Sequence, residues 1–216
     1  MWSERGGSGI VLIAVAVLLC ACGQASAAVV FNTFGSGNSY DVTAGLAIGL
    51  VPGVGNFTQG DRFSFTGSYG YYLDTIELAA SLIDGTNQLN VSLMTDAAGQ
   101  PGAVIESFSF TDQMGGINSS NPLLAGTSVL RPLLTPATNY WLIASAPDDT
   151  LAAWNESLPS VTGVFAWRIG AGAWTVADSS LSAFRINGTP AVPVPGALLL
   201  GGIGVALVRG ARRRTT

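Results

Sequence analysis

Apolar and polar residues alternate in short runs through the middle of the chain. In "DRFSFTG" the apolar positions are Phe63 and Phe65, and in "LNVSLMTD" they are Leu89, Val91 and Leu93. "AVIESFSF" offers Val104 or Ile105, then Phe108 and Phe110. "NYWLIAS" sets Tyr140, Leu142 and Ala144 on one side and Trp141 and Ile143 on the other, and "VFAWRIG", "AWTVA" and "SAFRING" keep the same period. In "YLDTIELAAS" the phase is open: either Thr75 or Ile76 is the inward position between Leu73 and Leu78. Period-two alternation sends successive side chains to opposite faces of a strand. Together with strand-favouring residues and turn signals spaced roughly ten residues apart, it predicts an all-β fold, an antiparallel β-sandwich of jelly-roll or Ig-like type. No long helical period occurs between Ala28 and Pro190, although one short helical turn is expected around Thr150 to Asn155.

Turn chemistry supports this division. "TDAAGQPGAVIES" places Gly99 and Pro101-Gly102 between two runs, as a hairpin connection requires. In "RPLLTPATNYWLI", Pro132 and Pro136 frame an edge segment ahead of a buried strand, because proline lacks the amide that an interior strand donates.

Two uninterrupted apolar blocks break the alternation. The first, "IVLIAVAVLLCA" (Ile10 to Ala21), follows Arg5 and runs into "CGQASAA". Ala25-Ser26-Ala27 is a small-x-small exit, so residues 1–27 read as a secretory signal helix cut between Ala27 and Ala28. "LCAC" (Leu19 to Cys22) also resembles a lipobox, which makes a lipidated Cys22 the alternative mature start. The second block belongs to the tail, where no charge occurs from Ile186 to Val208. A transmembrane helix over 195–208 spans about 21 Å at ~1.5 Å per residue, short of a hydrocarbon core of ~30 Å. Gly201, Gly202 and Gly204 let another helix approach closely in lipid. Arg209, Arg212, Arg213 and Arg214 then act as a cytoplasmic stop, leaving the middle of the chain outside. The expected organisation is a signal peptide (1–27), a β-sandwich surface domain (28–190) and a C-terminal sorting segment (191–216).

Charge and composition exclude several functions. From Ala28 to Pro190, twelve carboxylates face only Arg62, Arg131, Arg168 and Arg185, a balance of -8. A nucleic-acid partner is not expected, because phosphate binding needs a concentrated basic surface. Histidine and lysine are absent, which removes a Ser-His-Asp triad, imidazole metal ligands, Schiff-base chemistry and a P-loop. Both cysteines, Cys20 and Cys22, lie at the end of the first apolar block, so no disulfide framework holds the middle region.

The remaining candidates are weak in chemistry. Asp148-Asp149 is the one adjacent acidic pair, yet neighbours on a strand point to opposite faces, and "APDDT" reads as a solvated loop rather than a glycosidase pair. Asp96, Asp148, Asp149 and Asp178 fall in expected turns that could offer oxygen to calcium, but without EF-hand spacing, and no metal or cofactor is expected. Trp141 and Trp167 are expected in the core. Trp154 and Trp174, in or beside loops, are the candidates for exposed rings that stack on sugar, and Tyr69, Tyr71 and Tyr72 form a second aromatic loop.

The tail "VPVPGALLLGGIGVALVRGARRR" resembles the PEP-CTERM family of bacterial sorting signals, with Val192-Pro193-Val194-Pro195 in the motif position. Val194 stands where that motif is acidic, as in VPxP-type variants. The resemblance implies recognition and cleavage near the motif by an exosortase, a membrane enzyme of transpeptidase type. It also implies transient residence in the inner membrane before delivery to the envelope or surface, in systems associated with extracellular polysaccharide. "VSLMTDAAGQPGAVIESFSF", "LTPATNYWLIAS" and "FAWRIGAGAWTVADSSLSAFRINGT" resemble the choice-of-anchor R domain, which implies a non-enzymatic surface sandwich with a sorting tail and no catalytic residues.

Overall fold

A computed structural model of the protein describes residues 26–147 and 149–191. Among them the strands are β1 (Ala28–Asn32), β2 (Tyr40–Val51), β3 (Gly55–Phe63), β4 (Tyr71–Leu78), β5 (Ala80–Gly85), β6 (Gln88–Ala97), β7 (Gln100–Thr111) and β8 (Gly115–Gly116). They continue with β9 (Leu124–Thr127), β10 (Leu133–Leu134), β11 (Tyr140–Ser145), β12 (Thr150–Ser157), β13 (Thr162–Ile169), β14 (Thr175–Ser180) and β15 (Phe184–Pro190). A single 3-10 turn, Ser36–Asn38, follows β1. The fold is all-β. No helix among the described residues is long and apolar enough to cross a membrane. The signal helix and the transmembrane helix expected from the sequence lie outside the described residues.

The smaller sheet runs β1-β15-β4, and the far edge of β4 is bordered by β10 near its start and β9 near its end. The larger sheet runs β7-β6-β11-β3-β2-β12-β5-β8, with the β13–β14 hairpin on the other flank of β3. Every described pairing is antiparallel except β5 with β8. The order of β10 at a sheet edge, directly after Pro132, follows from the missing amide of proline.

The two sheets share one core, as in a sandwich. The smaller sheet contributes Leu73, Ile76, Leu78, Leu124, Leu134, Phe184 and Ile186. The larger contributes Ile48, Phe63, Leu89, Val91, Leu93, Phe108, Phe110, Leu142, Ala144 and Trp154. Each large apolar side chain fully withdrawn from water contributes about 1.5–3 kcal/mol, so the alternation in the sequence is the main source of the fold. A Cβ on Gly126 would lie 2.7 Å from the Phe108 ring, so glycine there lets β9 close against β7. A smaller cluster of Trp141, Ile143 and Ala166 lies on the opposite face of the larger sheet, as the strict alternation of β11 demands.

Three local features answer open points in the sequence. Between Asn187 and Gly188 the β15–β4 register shifts, so that Asn187 faces Thr75 and Gly188 faces Leu73. This bulge at Asp74 turns both Leu73 and Ile76 inward and resolves the ambiguous phase of "YLDTIELAAS". The β6–β7 hairpin closes at Ala98 and Gly99, with φ of 54° and 85°. Two consecutive positive φ values mark a type I′ turn, and the Asp96 carboxylate accepts the Gly99 amide at 2.9 Å to hold it. The third is a correction. Thr150 to Asn155 is not a helical turn but most of β12, because Ala152 and Trp154 face the core on a strand paired on both sides.

Candidate functional site

Both ends of the described chain leave the same pole of the smaller sheet. β1 opens at Ala28 opposite Gly188, and β15 ends at Pro190 opposite Tyr71. The Ala191 amide then donates to the Gly70 carbonyl at 2.8 Å. Ala27 is exposed just ahead of the first strand residue. Val192, Pro193, Val194 and Pro195, and Arg209, Arg212, Arg213 and Arg214, lie outside the described residues.

This pole carries exposed apolar side chains. Tyr72 is 44% exposed and stands opposite Leu133, which is 47% exposed. Tyr69 is exposed in the loop that enters β4. One step along the β4 edge, Val129 and Leu130 are 86% and 66% exposed. They are held there by a built clamp. The buried Glu106 carboxylate accepts the Ser128 hydroxyl at 2.6 Å and the amides of Val129 and Leu130 at 2.7 Å and 3.0 Å. The Ser128 oxygen in turn accepts the Arg131 amide at 2.9 Å.

The four cations of the domain are each engaged locally. Arg131 meets Asp74 at 2.5 Å, and Arg185 meets Glu77 at 2.5 Å while its guanidinium lies 5.6 Å from the Phe34 ring. Arg62 lies 5.9 Å from the Trp141 ring centre, and Arg168 lies 4.5 Å from that of Trp174.

The aromatic candidates sort differently from expectation. Trp154 is not exposed; it is fully buried in the main core, its ring 5.8 Å from that of Phe184 and its Nε1 donating to the Ala183 carbonyl at 3.3 Å. The reason is that "LAAWNES" is a central strand, and its polar residues find internal partners. Asn155, also buried, donates to the Asp41 carbonyl and accepts the Ser81 hydroxyl. Trp174 is half-buried beneath Arg168. Trp141 is core, as expected. Trp167 is not: it is half-buried and stacks on Phe165, with ring centres 5.0 Å apart and planes at 14°. Alternation sets this pair opposite to Ala166, which packs on Trp141.

The carboxylates serve structure. Asp96 accepts Trp141 Nε1 at 2.8 Å with the oxygen not used by Gly99, so both its oxygens are engaged. Asp149 is exposed and accepts the Thr86 hydroxyl, Asp178 sits within β14 rather than in a turn, and Asp148 lies outside the described residues. Among the described residues no group of three or more His, Cys, Asp or Glu could hold a metal ion.

One group escapes the sequence entirely. Asp61, in β3, is fully buried. Its Oδ2 accepts the Ser182 amide at 2.8 Å, but Oδ1 has no hydrogen-bond partner, nor does the Ser182 hydroxyl. Burial pushes the Asp61 carboxyl up to about 7, against the hydrogen bond from the Ser182 amide that favours the ionised form and with a smaller upward push from the Glu156 charge. A carboxyl so enclosed reaches no substrate, and its protonated form can donate to a neighbouring oxygen.

No family model matches the chain, and no curated protein matches it.

Proposed function

We propose that this is a secreted bacterial surface protein without enzymatic activity, whose β domain is carried to the envelope by its two terminal signals. On this reading the segment before Ala28 directs export and is removed. The tail then holds the domain at the inner membrane until an exosortase-type enzyme cuts near Val192 to Pro195. The tail itself carries the proposal: a proline motif, a short uncharged run and a terminal arginine cluster, in that order. The position of both chain exits at one pole supports it, because a domain tethered through either end presents the same face to the membrane. The domain belongs to a jelly-roll or Ig-like sandwich of the choice-of-anchor R kind. The ion pairing of Arg131 and Arg185 within the domain supports a partner other than nucleic acid.

The arginines are the handle that keeps the tail from passing through the membrane, by the positive-inside rule. Replacing Arg212, Arg213 and Arg214 with serine is expected to reduce C-terminal processing and release more unprocessed chain to the medium. Immunoblotting with tags placed on both sides of the motif measures this, and unchanged cleavage would remove the arginines from the mechanism.

A second reading, a module that binds extracellular polysaccharide, draws on the stacked Phe165–Trp167 pair. Half-buried parallel rings are suited to the apolar face of a sugar, and this surface replaces Trp154 as the one such binding would use.

A further inference from the structure

We propose that the pole formed by Tyr69, Tyr72, Val129, Leu130 and Leu133 is a lipid-facing surface that rests on the membrane while the tail is in place. The inference builds on the reading of the tail as membrane-inserting and adds where the folded domain touches the bilayer. Three observations carry it.

The first is the tether. The chain leaves the fold at Ala191, which is bonded to Gly70, and the short helix expected from the sequence starts at Pro195. The intervening residues reach at most about 14 Å when fully extended, at ~3.3–3.6 Å per residue. A domain so closely held cannot turn its exit pole away from the surface that the tail enters.

The second is composition. The pole presents tyrosines and aliphatic side chains together, and Leu133 packs on Gly70 itself, 2.9 Å from where a Cβ would sit. Tyrosine favours the membrane–water interface, where one end of the ring is wet and the other dry. Arg131 and Asp74, beside this patch, neutralise each other.

The third is construction. Val129 and Leu130 project into water from a loop pinned by a buried carboxylate with three hydrogen bonds. An ordered apolar projection marks an interaction surface.

The test uses the full chain with Cys20→Ser and Cys22→Ser, reconstituted in phosphatidylcholine vesicles that contain a brominated phosphatidylcholine. Single cysteines labelled with an environment-sensitive fluorophore are placed by Leu130→Cys, Leu133→Cys, Val54→Cys and Ala206→Cys. Val54 lies in the β2–β3 turn, at the opposite end of β3 from the Phe65 ring, which packs 5.6 Å from that of Tyr71 at the exit pole. The proposal expects strong quenching at 206, quenching at 130 and 133 at least about twofold above that at 54, and blue-shifted emission at both. Quenching at 206 with 130, 133 and 54 all alike overturns the lipid-facing pole and leaves the membrane tail standing. Absence of quenching at 206 overturns both.

Discussion

Replacing Asp61 with asparagine is expected to make the protein more stable above neutral pH and to flatten its stability between pH 4 and 7. The wild-type carboxyl is held near 7 in the folded state against 3.8 in the open chain. Below 3.8 both states keep the proton, and the group contributes no pH dependence. Between 3.8 and 7 the folded state still holds the proton that the unfolded state has lost, so unfolding releases it and stability falls as pH rises. Above 7 the fall is complete. At ~1.36 kcal/mol per pKa unit the whole loss is on the order of 4 kcal/mol. Asparagine keeps the shape and the acceptor for the Ser182 amide, adds donors for the free Ser182 hydroxyl, and never ionises. Urea melts of both proteins across this range measure the effect. A variant less stable than wild type at pH 8 would mean that the ionised carboxylate has a favourable partner and would overturn the account of this site.

Trp154→Ala should be the most damaging substitution of an aromatic residue in the domain. The ring is fully buried between the sheets beside Phe184. Truncating a core tryptophan costs about 3–5 kcal/mol, through lost transfer energy and the cavity left behind. In a domain of this size that lowers the melting temperature by roughly 6–20 °C. The Ala183 carbonyl that loses Nε1–H keeps the Ala79 amide as donor, so the penalty comes from packing rather than from an orphaned acceptor. Trp154→Phe, which keeps most of the ring, should lose less. Thermal melts separate this from a surface role: glycan binding lost at unchanged stability would show that the ring is a ligand platform after all.

The contrast between these two residues shows what the sequence could and could not say. Leu89, Val91 and Leu93 were legible because an uninterrupted strand repeats with a fixed period, and all three are fully buried. The phase of β4 was not, because the bulge at Asp74 is set by its partner β15, far away along the chain. Trp154 resembled a loop residue because Asn155, Glu156 and Ser157 follow it. Asn155 and Ser157 are buried, and the groups that satisfy Asn155, Ser81 and the Asp41 carbonyl, come from distant strands. Asp61 gave no signal, since "QGDRF" reads as a polar strand until β11 and β13 are known to flank it on both sides. Trp167 erred the other way: a strand position suggests burial, but β13 is held in the larger sheet by β3 and continues only into a short hairpin. The shared exit pole was likewise invisible, because it depends on β1 and β15 pairing antiparallel across almost the full length of the domain.

The central claim is that two terminal signals deliver a folded β domain to the envelope and are then removed. Mass spectrometry of the protein recovered from envelope and medium measures both ends at once. The account predicts a chain that begins at Ala28 and ends near Pro195. Recovery of only the full-length chain, from Met1 to Thr216, would contradict it.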